Sequence, residues 1–460
     1  MNELVTQVDQ KAAIVPLIDE GLGNSAYLVR LGDGRALVID PRRDPAPYLR
    51  LAERLNLRIA FAAETHLHAD FISGSGELAA FGAVVLAPLA SHLSLPHRGL
   101  EDGEEVDLGG LTLRALATPG HTPEHLAYLL LDGATPQALF SGGAVLPGGA
   151  ARPDLISREN TEPLAHALYR TAHQRLAELP DDLPVYPTHG AGSFCSAGSG
   201  GQRTTFLGRE RHDSPLFTIA GEDEFVDQLL EGLGSYPPYF LRLRRVNQRG
   251  ARLYGMTLPE LPPLSAEEIR RQQAAGATLL DVRPFVDFGS GHIPGALSIA
   301  LRPSFASWLG WIVPADQPIV FVREPDQDQR DLVEQCLKIG YENLVGELAG
   351  GMATWRAAGL PESAVTLRHV DEELRGALLD VRQDIEWAGG HIPNARHVEL
   401  GKVAASARSI PAGPLTIYCG HGERAMTAAS LLETQGREEL VVLDGGFDAW
   451  RDASRPIAIG

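Results

Sequence analysis

Six residues have the types and order that activate a sulfur nucleophile. Cys419-Gly-His-Gly-Glu-Arg424 lies between the apolar run Leu415-Thr-Ile-Tyr418 and a helical pattern over Ala425–Gln435, which Gly436 closes as a C′ residue. A loop joining a strand to a helix can turn successive backbone N–H groups into one bowl, with the helix N-terminus behind it. A thiolate there is stabilised, so the Cys419 pKa is expected below the roughly 8.5 of free cysteine. Arg424 adds a fixed positive charge, and the same setting suits an anionic persulfide. Cys336 differs: it falls on the helical pattern Leu332-Val-Glu-Gln-Cys-Leu337 and reads as core.

A second constellation is built from histidine. Thr65-His-Leu-His-Ala-Asp70 directly follows an apolar strand, and Thr118-Pro-Gly-His121 and Pro187-Thr-His189 take the same place after later strands. Imidazoles and carboxylates at strand ends are how a sheet converges ligands on one ion. The candidate ligands are therefore His66, His68, Asp70, His121 and His189. Cys195 sits in a glycine-rich loop just beyond His189, where it either faces this site or is a buried small residue.

These residues need elements to hold them. Ala26-Tyr-Leu-Val29 and Ala36-Leu-Val-Ile-Asp40, parted by Gly-Asp-Gly, read as a hairpin. Pro47 to Leu55 reads as a helix and Arg58-Ile-Ala-Phe-Ala62 as a buried strand. The strand-rich pattern continues to Tyr186 and gives way to a Gly/Ser loop from Gly190 to Gly201. The proline-dense Pro259-Glu-Leu-Pro-Pro263 reads as a stiff linker. Beyond it one module occurs twice. The first copy carries Leu279-Leu-Asp-Val-Arg283, Gly291-His-Ile-Pro-Gly295 and Gly350-Gly-Met-Ala-Thr-Trp355. The second carries Leu378-Leu-Asp-Val-Arg382, Gly390-His-Ile-Pro-Asn394 and Gly445-Gly-Phe-Asp-Ala-Trp450. Where the second copy has Cys419, the first has Phe321-Val-Arg-Glu-Pro325 and no thiol. Short strands alternating with helices imply a parallel sheet covered on both faces. Asp281 with Arg283, and Asp380 with Arg382, read as structural ion pairs. Gly359-Leu-Pro-Glu-Ser363 is a second joint, so the expected domains are 1–257, 264–360 and 365–460.

Composition narrows the function classes. A chain of 460 residues is too long for one core. Its net charge of −19, from 40 basic and 59 acidic residues, argues against nucleic acid or an anionic membrane as partner. No apolar run approaches the roughly 20 residues of a membrane span. The opening Met1-Asn-Glu-Leu-Val has no basic region followed by an apolar stretch, and three cysteines suit a reducing compartment, so a cytoplasmic location is expected.

Residues 264–460 resemble two tandem rhodanese domains, on the Asp-Val-Arg, Gly-His-Ile-Pro and Gly-Gly-x-x-x-Trp landmarks in this order. The resemblance implies that Cys419 accepts sulfur and that Gly420, His421, Gly422, Glu423 and Arg424 form the active-site loop around the substrate. Rhodanese-like phosphatases carry a loop one residue longer. The resemblance also implies that residues 264–360 are an inactive copy. The histidine motifs resemble the metallo-β-lactamase fold. Together with Thr188-His-Gly-Ala-Gly-Ser-Phe-Cys195 and Tyr236-Pro-Pro-Tyr-Phe240, the chain is similar to persulfide dioxygenases fused to rhodanese domains. The implied architecture is α/β and α+β: an N-terminal αββα sandwich, then two α/β domains with parallel sheets. One Fe(II) per chain is implied, held by His66, His121 and an aspartate. Members of the fold read Phe-x-Gly-Asp where this chain reads Phe140-Ser-Gly-Gly143, and Phe71 replaces the last histidine of their His-x-His-x-Asp-His pattern.

Losing the carboxylate is expected to cost at least the ~10–100-fold that a ligand's supporting partner is worth. Iron should then be substoichiometric, and an empty site or one holding zinc is admitted. Asp70, His68 and His189 are the candidate substitutes, and Gly143→Asp is expected to raise iron content. The implied partners are a low-molecular-weight persulfide or thiol such as glutathione, and thiosulfate; a homo-oligomer is compatible. Three readings follow. In the first, sulfur transfer through Cys419 is coupled to a persulfide dioxygenase-like domain. In the second, that domain is a non-catalytic scaffold. In the third, it hydrolyses a thioester-like substrate with two metals, which Phe71 and Gly143 oppose.

Overall fold

In the N-terminal half, alternation along the strands builds two sheets that share one core. The computed structural model describes residues 13–197 and 201–459, so the Met1 segment and residues 198–200 of the glycine-rich loop lie outside it. One six-stranded sheet takes its strands in chain order, Ile14–Asp19, Asn24–Arg30, Arg35–Ile39, Arg58–Ala63, Val84–Pro88 and Arg98–Leu100. The second runs Thr205–Phe206, Pro184–Pro187, Thr135–Gly142, Leu126–Asp132, Leu111–Ala117 and Glu105–Asp107. In Asn24–Arg30, Tyr27 and Val29 point to the space between the sheets and meet Leu113, Tyr128, Leu130 and Phe140. Ala26 and Leu28 point the other way, against Tyr48 and Leu51 of helix Ala46–Arg54. On the far face, Leu129, Leu131 and Leu139 receive Ala165 and Leu168 of helix Arg158–Arg170. The period-2 pattern of each strand thus gives four layers, αββα. The hairpin read from residues 26–40 forms, with Leu28 opposite Val38.

Residues 13–259 and Glu334–Gly340 make one compact unit; Glu260–Val333 and Tyr341 onward make a second. The second unit holds two five-stranded sheets, and all their pairings are parallel. Both sheets order their strands identically: first, fifth, fourth, second, third along each copy. The two copies share a continuous apolar cluster that includes Leu279, Val322 and Met352 from one and Leu379, Ile417 and Ala425 from the other. Cys336 lies buried on helix Gln329–Lys338. Among the described residues no helix is long and apolar enough to cross a membrane.

Candidate active sites

The cysteine loop is held from both sides. Strand Leu415–Tyr418 ends at Cys419, and helix Glu423–Glu433 begins after Gly422. The Gly422 N–H donates to Cys419 Sγ at 3.1 Å, and the sulfur's residue is 1% exposed. Arg424 forms a two-point ion pair with Glu386, at 2.6 and 2.8 Å, and its guanidinium lies 5.5 Å from the Trp308 ring centroid. Burial would weaken the Arg424 charge, but Glu386 and Cys419 hold it protonated. Glu423 pairs with Arg302 at 2.9 Å, and His421 with Asp448 at 3.0 Å on the exposed rim.

The Gly-Gly-x-x-x-Trp landmark has a steric origin. Gly446 has φ +56°, and a Cβ there would lie 2.4 Å from the Cys419 carbonyl oxygen and 2.5 Å from that of Gly420. The Phe447 N–H donates to the Cys419 carbonyl at 2.7 Å, which seats the loop on the last helix. Gly446→Ala is therefore expected to push the nucleophile out of register and cut sulfur transfer by about 10²-fold, with KM for the donor less affected than kcat; steady-state kinetics check this.

The first copy repeats the scaffold and not the chemistry. Arg323 follows strand Ile319–Val322 as Cys419 follows its own, and a Cβ on Gly351 would lie 2.8 Å from the Arg323 carbonyl. The Arg323 side chain pairs with Glu347 at 2.5 and 2.8 Å and donates to the Gln327 carbonyl at 2.8 Å. A guanidinium thus occupies the loop that would cradle an anion. Asp281 with Arg283 and Asp380 with Arg382 are buried two-point pairs.

In the N-terminal unit, four strand ends converge. His66 follows Arg58–Ala63, His121 follows Leu111–Ala117, Gly143 follows Thr135–Gly142 and His189 follows Pro184–Pro187. All three histidines are buried. Their ligand atoms lie within 4.8 Å of one another, and His66 Nε2 stands 3.3 Å from His189 Nε2. His68 turns elsewhere: its Nε2 lies 3.0 Å from Glu64 and 3.3 Å from Asp40, and its ring stacks on Phe71. Burial alone would lower the His68 pKa, yet Asp40 and Glu64 raise it to about 10. Burial and the neighbouring imidazoles hold His66 well below its ordinary range, and burial with His189 does the same to His121. Asp70 accepts from Asn24 Nδ2 at 2.8 Å and lies 3.3 Å from His189 Nδ1. Cys195 is buried, and burial together with the Asp70 charge pushes its thiol well above the usual range.

Comparison with known proteins matches this geometry. Residues 19–189 match the metallo-beta-lactamase superfamily, and residues 265–358 and 364–453 match the rhodanese-like domain. The mitochondrial persulfide dioxygenase ETHE1 of Homo sapiens is 33% identical over 195 residues, 42% of this chain and 69% of its own length. The chain belongs to the persulfide dioxygenase family, joined here to two rhodanese-like domains. A hydroxyacylglutathione hydrolase of Pseudomonas entomophila (strain L48) is 34% identical over 156 residues, 34% of this chain and 57% of its own length. Among solved structures, a metallo-beta-lactamase from Staphylococcus aureus subsp. aureus COL aligns with 74% of this chain and 99% of its own, at 28% identity and a TM-score of 0.66.

Gly143, where the resemblance implies a carboxylate, follows strand Thr135–Gly142 and packs against His121. A Cβ on Gly143 would lie 2.7 Å from His121 Cδ2 and 2.9 Å from Ala151 Cβ. The Gly143 N–H is already committed to His125 Nε2 at 2.9 Å. No side chain fits there unless the His121 ring moves. A side chain at 143, such as that of Gly143→Asp, therefore requires His121 and Ala151 to shift. His68, Asp70 and His189 form a second buried cluster whose ligand atoms lie within 4.8 Å of one another. Asp70, the acidic neighbour on the His66 loop, is engaged as a partner of His189.

Sequence reasoning missed the residues that support both sites. Glu386, Arg302 and Trp308 reach the cysteine loop from distant segments, and two of them come from the first copy. Asn24, Thr65 and His125 around the histidines have ordinary sequence contexts. Only His125, four residues past His121, repeats a ligand-type residue nearby.

Proposed function

We propose that this protein works in sulfane-sulfur metabolism, with sulfur transfer through Cys419 and with domains at 1–257, 264–360 and 365–460. The observation that carries the reading is the Cys419 loop: a thiol facing the Gly422 N–H at a helix start, beside an arginine fixed by Glu386. The Cys419 thiolate attacks the outer sulfur of thiosulfate. A bond from Cys419 to that sulfur forms as the donor's S–S bond breaks, and sulfite leaves with the electron pair. The persulfide anion rests against the Gly422 N–H and the helix N-terminus, with Arg424 balancing its charge. An acceptor thiolate, of glutathione or a similar small thiol, then attacks the terminal sulfur. It departs as a persulfide, and Cys419 regains its thiolate.

The N-terminal domain binds the low-molecular-weight persulfide or thiol that exchanges sulfur with Cys419, in a reducing cytoplasm. The human relative is a persulfide dioxygenase by name. Oxidation by this chain would need a redox ion on donors other than the two histidines and aspartate of the fold. Gly143 therefore keeps a second reading alive, in which this domain binds substrate and only Cys419 is catalytic.

Two measurements test the proposal. Mass spectrometry after loading with thiosulfate is expected to find one added sulfur on Cys419 and none within 264–360; a persulfide on the buried Cys336 would contradict it. Metal content and oxygen uptake with glutathione persulfide then separate the readings. One iron per chain with uptake supports the dioxygenase, and sulfur transfer from metal-free protein supports the binding domain.

A further inference from the structure

We propose that His66, His121 and His189 bind one divalent transition-metal ion through their Nε2 atoms, with His189 supplying the third donor that Gly143 cannot. The inference rests on reading the N-terminal domain as a metal site of its fold; it replaces the expected donor set.

The hydrogen bonds fix the tautomers. Thr65 Oγ1 donates its one proton to Asp40 Oδ2 at 2.8 Å, so it can only accept from His66 Nδ1, also at 2.8 Å. His121 Nδ1 lies 2.7 Å from the Arg152 carbonyl, which accepts only. His189 Nδ1 faces Asn24 Oδ1 at 3.2 Å and Asp70 Oδ2 at 3.3 Å. The Asn24 amide cannot be turned over, because its Nδ2 donates to Asp70. Each ring therefore carries its proton on Nδ1, and each Nε2 presents a lone pair to the same point. A histidine that holds a metal commonly donates its other N–H to a carbonyl or carboxylate in this way.

Three lone pairs that meet in a buried space repel unless something sits among them. A proton bridges two nitrogens; a cation serves all three. The 3.3 Å between His66 Nε2 and His189 Nε2 matches the edge of a tetrahedron with bonds of about 2.0–2.1 Å. His68 belongs to a separate set, with Asp70 and His189, and its Nε2 faces Glu64 and Asp40. Asp70 is a positioning residue acting through His189. Three imidazoles with one open position suit a zinc-type ion, whereas redox-active iron(II) in oxygenases favours a carboxylate in the set.

The test uses the full-length chain, stripped with a chelator and titrated with Co(II), whose visible absorption reports donor geometry. One Co(II) per chain with the intense bands of a four-coordinate site is expected. His189→Ala should weaken binding by at least about 100-fold, and Asp70→Asn by about 10–100-fold at unchanged stoichiometry. Gly143→Asp should not tighten it. Circular dichroism and Cys419-dependent sulfur transfer verify that each variant is folded, and His189→Gln replaces the alanine variant if that one is not. Wild-type protein that takes up no Co(II), or a folded His189 variant with unchanged affinity and spectrum, overturns the proposal. The readout is binding, so absence of oxygen uptake would count against the dioxygenase reading alone.

Discussion

Cys419→Ser is expected to abolish sulfur transfer from thiosulfate, lowering kcat by at least ~10³-fold, as loss of a covalent nucleophile does. The substitution is nearly isosteric. The main-chain contacts that seat the loop, from Phe447 N–H to the residue 419 carbonyl and from Asp448 N–H to the Gly420 carbonyl, do not involve the side chain. The loss is therefore one of chemistry. A serine hydroxyl stays protonated where a thiol ionises, and an oxygen cannot store sulfane sulfur as a persulfide. The other two thiols offer no bypass, because their surroundings push both toward the protonated form. Activity is measured as sulfite release under a small-thiol acceptor. A Cys419→Ser protein that transfers sulfur at near the wild-type rate would remove the assignment.

Local chemistry was legible in the sequence, and the partners of that chemistry were not. Cys419 announces itself because its loop needs only what lies within six residues: a strand end, glycines and a helix start. The duplicated landmarks were equally plain, and the structure explains them. Asp-Val-Arg is a buried pair, and the second glycine of Gly-Gly-x-x-x-Trp is a place where no Cβ fits. The tryptophan donates its indole N–H to a carbonyl six residues on, Trp355 to Pro361 and Trp450 to Pro456. The histidines were found because each follows a strand. What hid was direction. His66 and His68 stand two residues apart on one loop, yet one faces His121 and His189 and the other faces Asp40 and Glu64. Strand periodicity does not reach into a loop, so spacing could not tell them apart. Glu386 and Arg302 were invisible for a different reason: their roles depend on contacts across 38 and 121 positions. The sequence also suggested that a carboxylate could be added at position 143, because it records a missing aspartate and not the imidazole ring that fills the space.

Removing the Asp380 carboxylate should cost the second unit about 3–5 kcal/mol, the usual consequence of leaving one partner of a buried pair uncompensated. Asp380 accepts from Arg382 N at 2.9 Å, from Nε at 3.0 Å and from Nη2 at 2.6 Å, with its own side chain fully buried. Arg382 passes the connection on. Its Nη2 donates to the Gly390 carbonyl at 2.7 Å, and its guanidinium lies 4.0 Å from the Phe447 ring centroid. One pair thus ties the strand end to the Gly-His-Ile-Pro turn and to helix Gly446–Asp452, on which the cysteine loop is seated. In Asp380→Ala the guanidinium stays buried without its acceptor, so the damage exceeds the loss of one contact. A double substitution, Asp380→Ala with Arg382→Leu, should recover part of it by removing the orphaned charge. Urea unfolding followed by tryptophan fluorescence isolates the effect, because all five tryptophans (Trp308, Trp311, Trp355, Trp387 and Trp450) lie in this unit. Asp281→Ala should cost a similar amount, since Asp281 and Arg283 repeat the geometry beside a loop with no thiol. That equality separates a structural pair from a catalytic one. If Asp380→Ala loses less than ~1 kcal/mol yet stops sulfur transfer, the pair acts on the reacting sulfur and the structural reading fails.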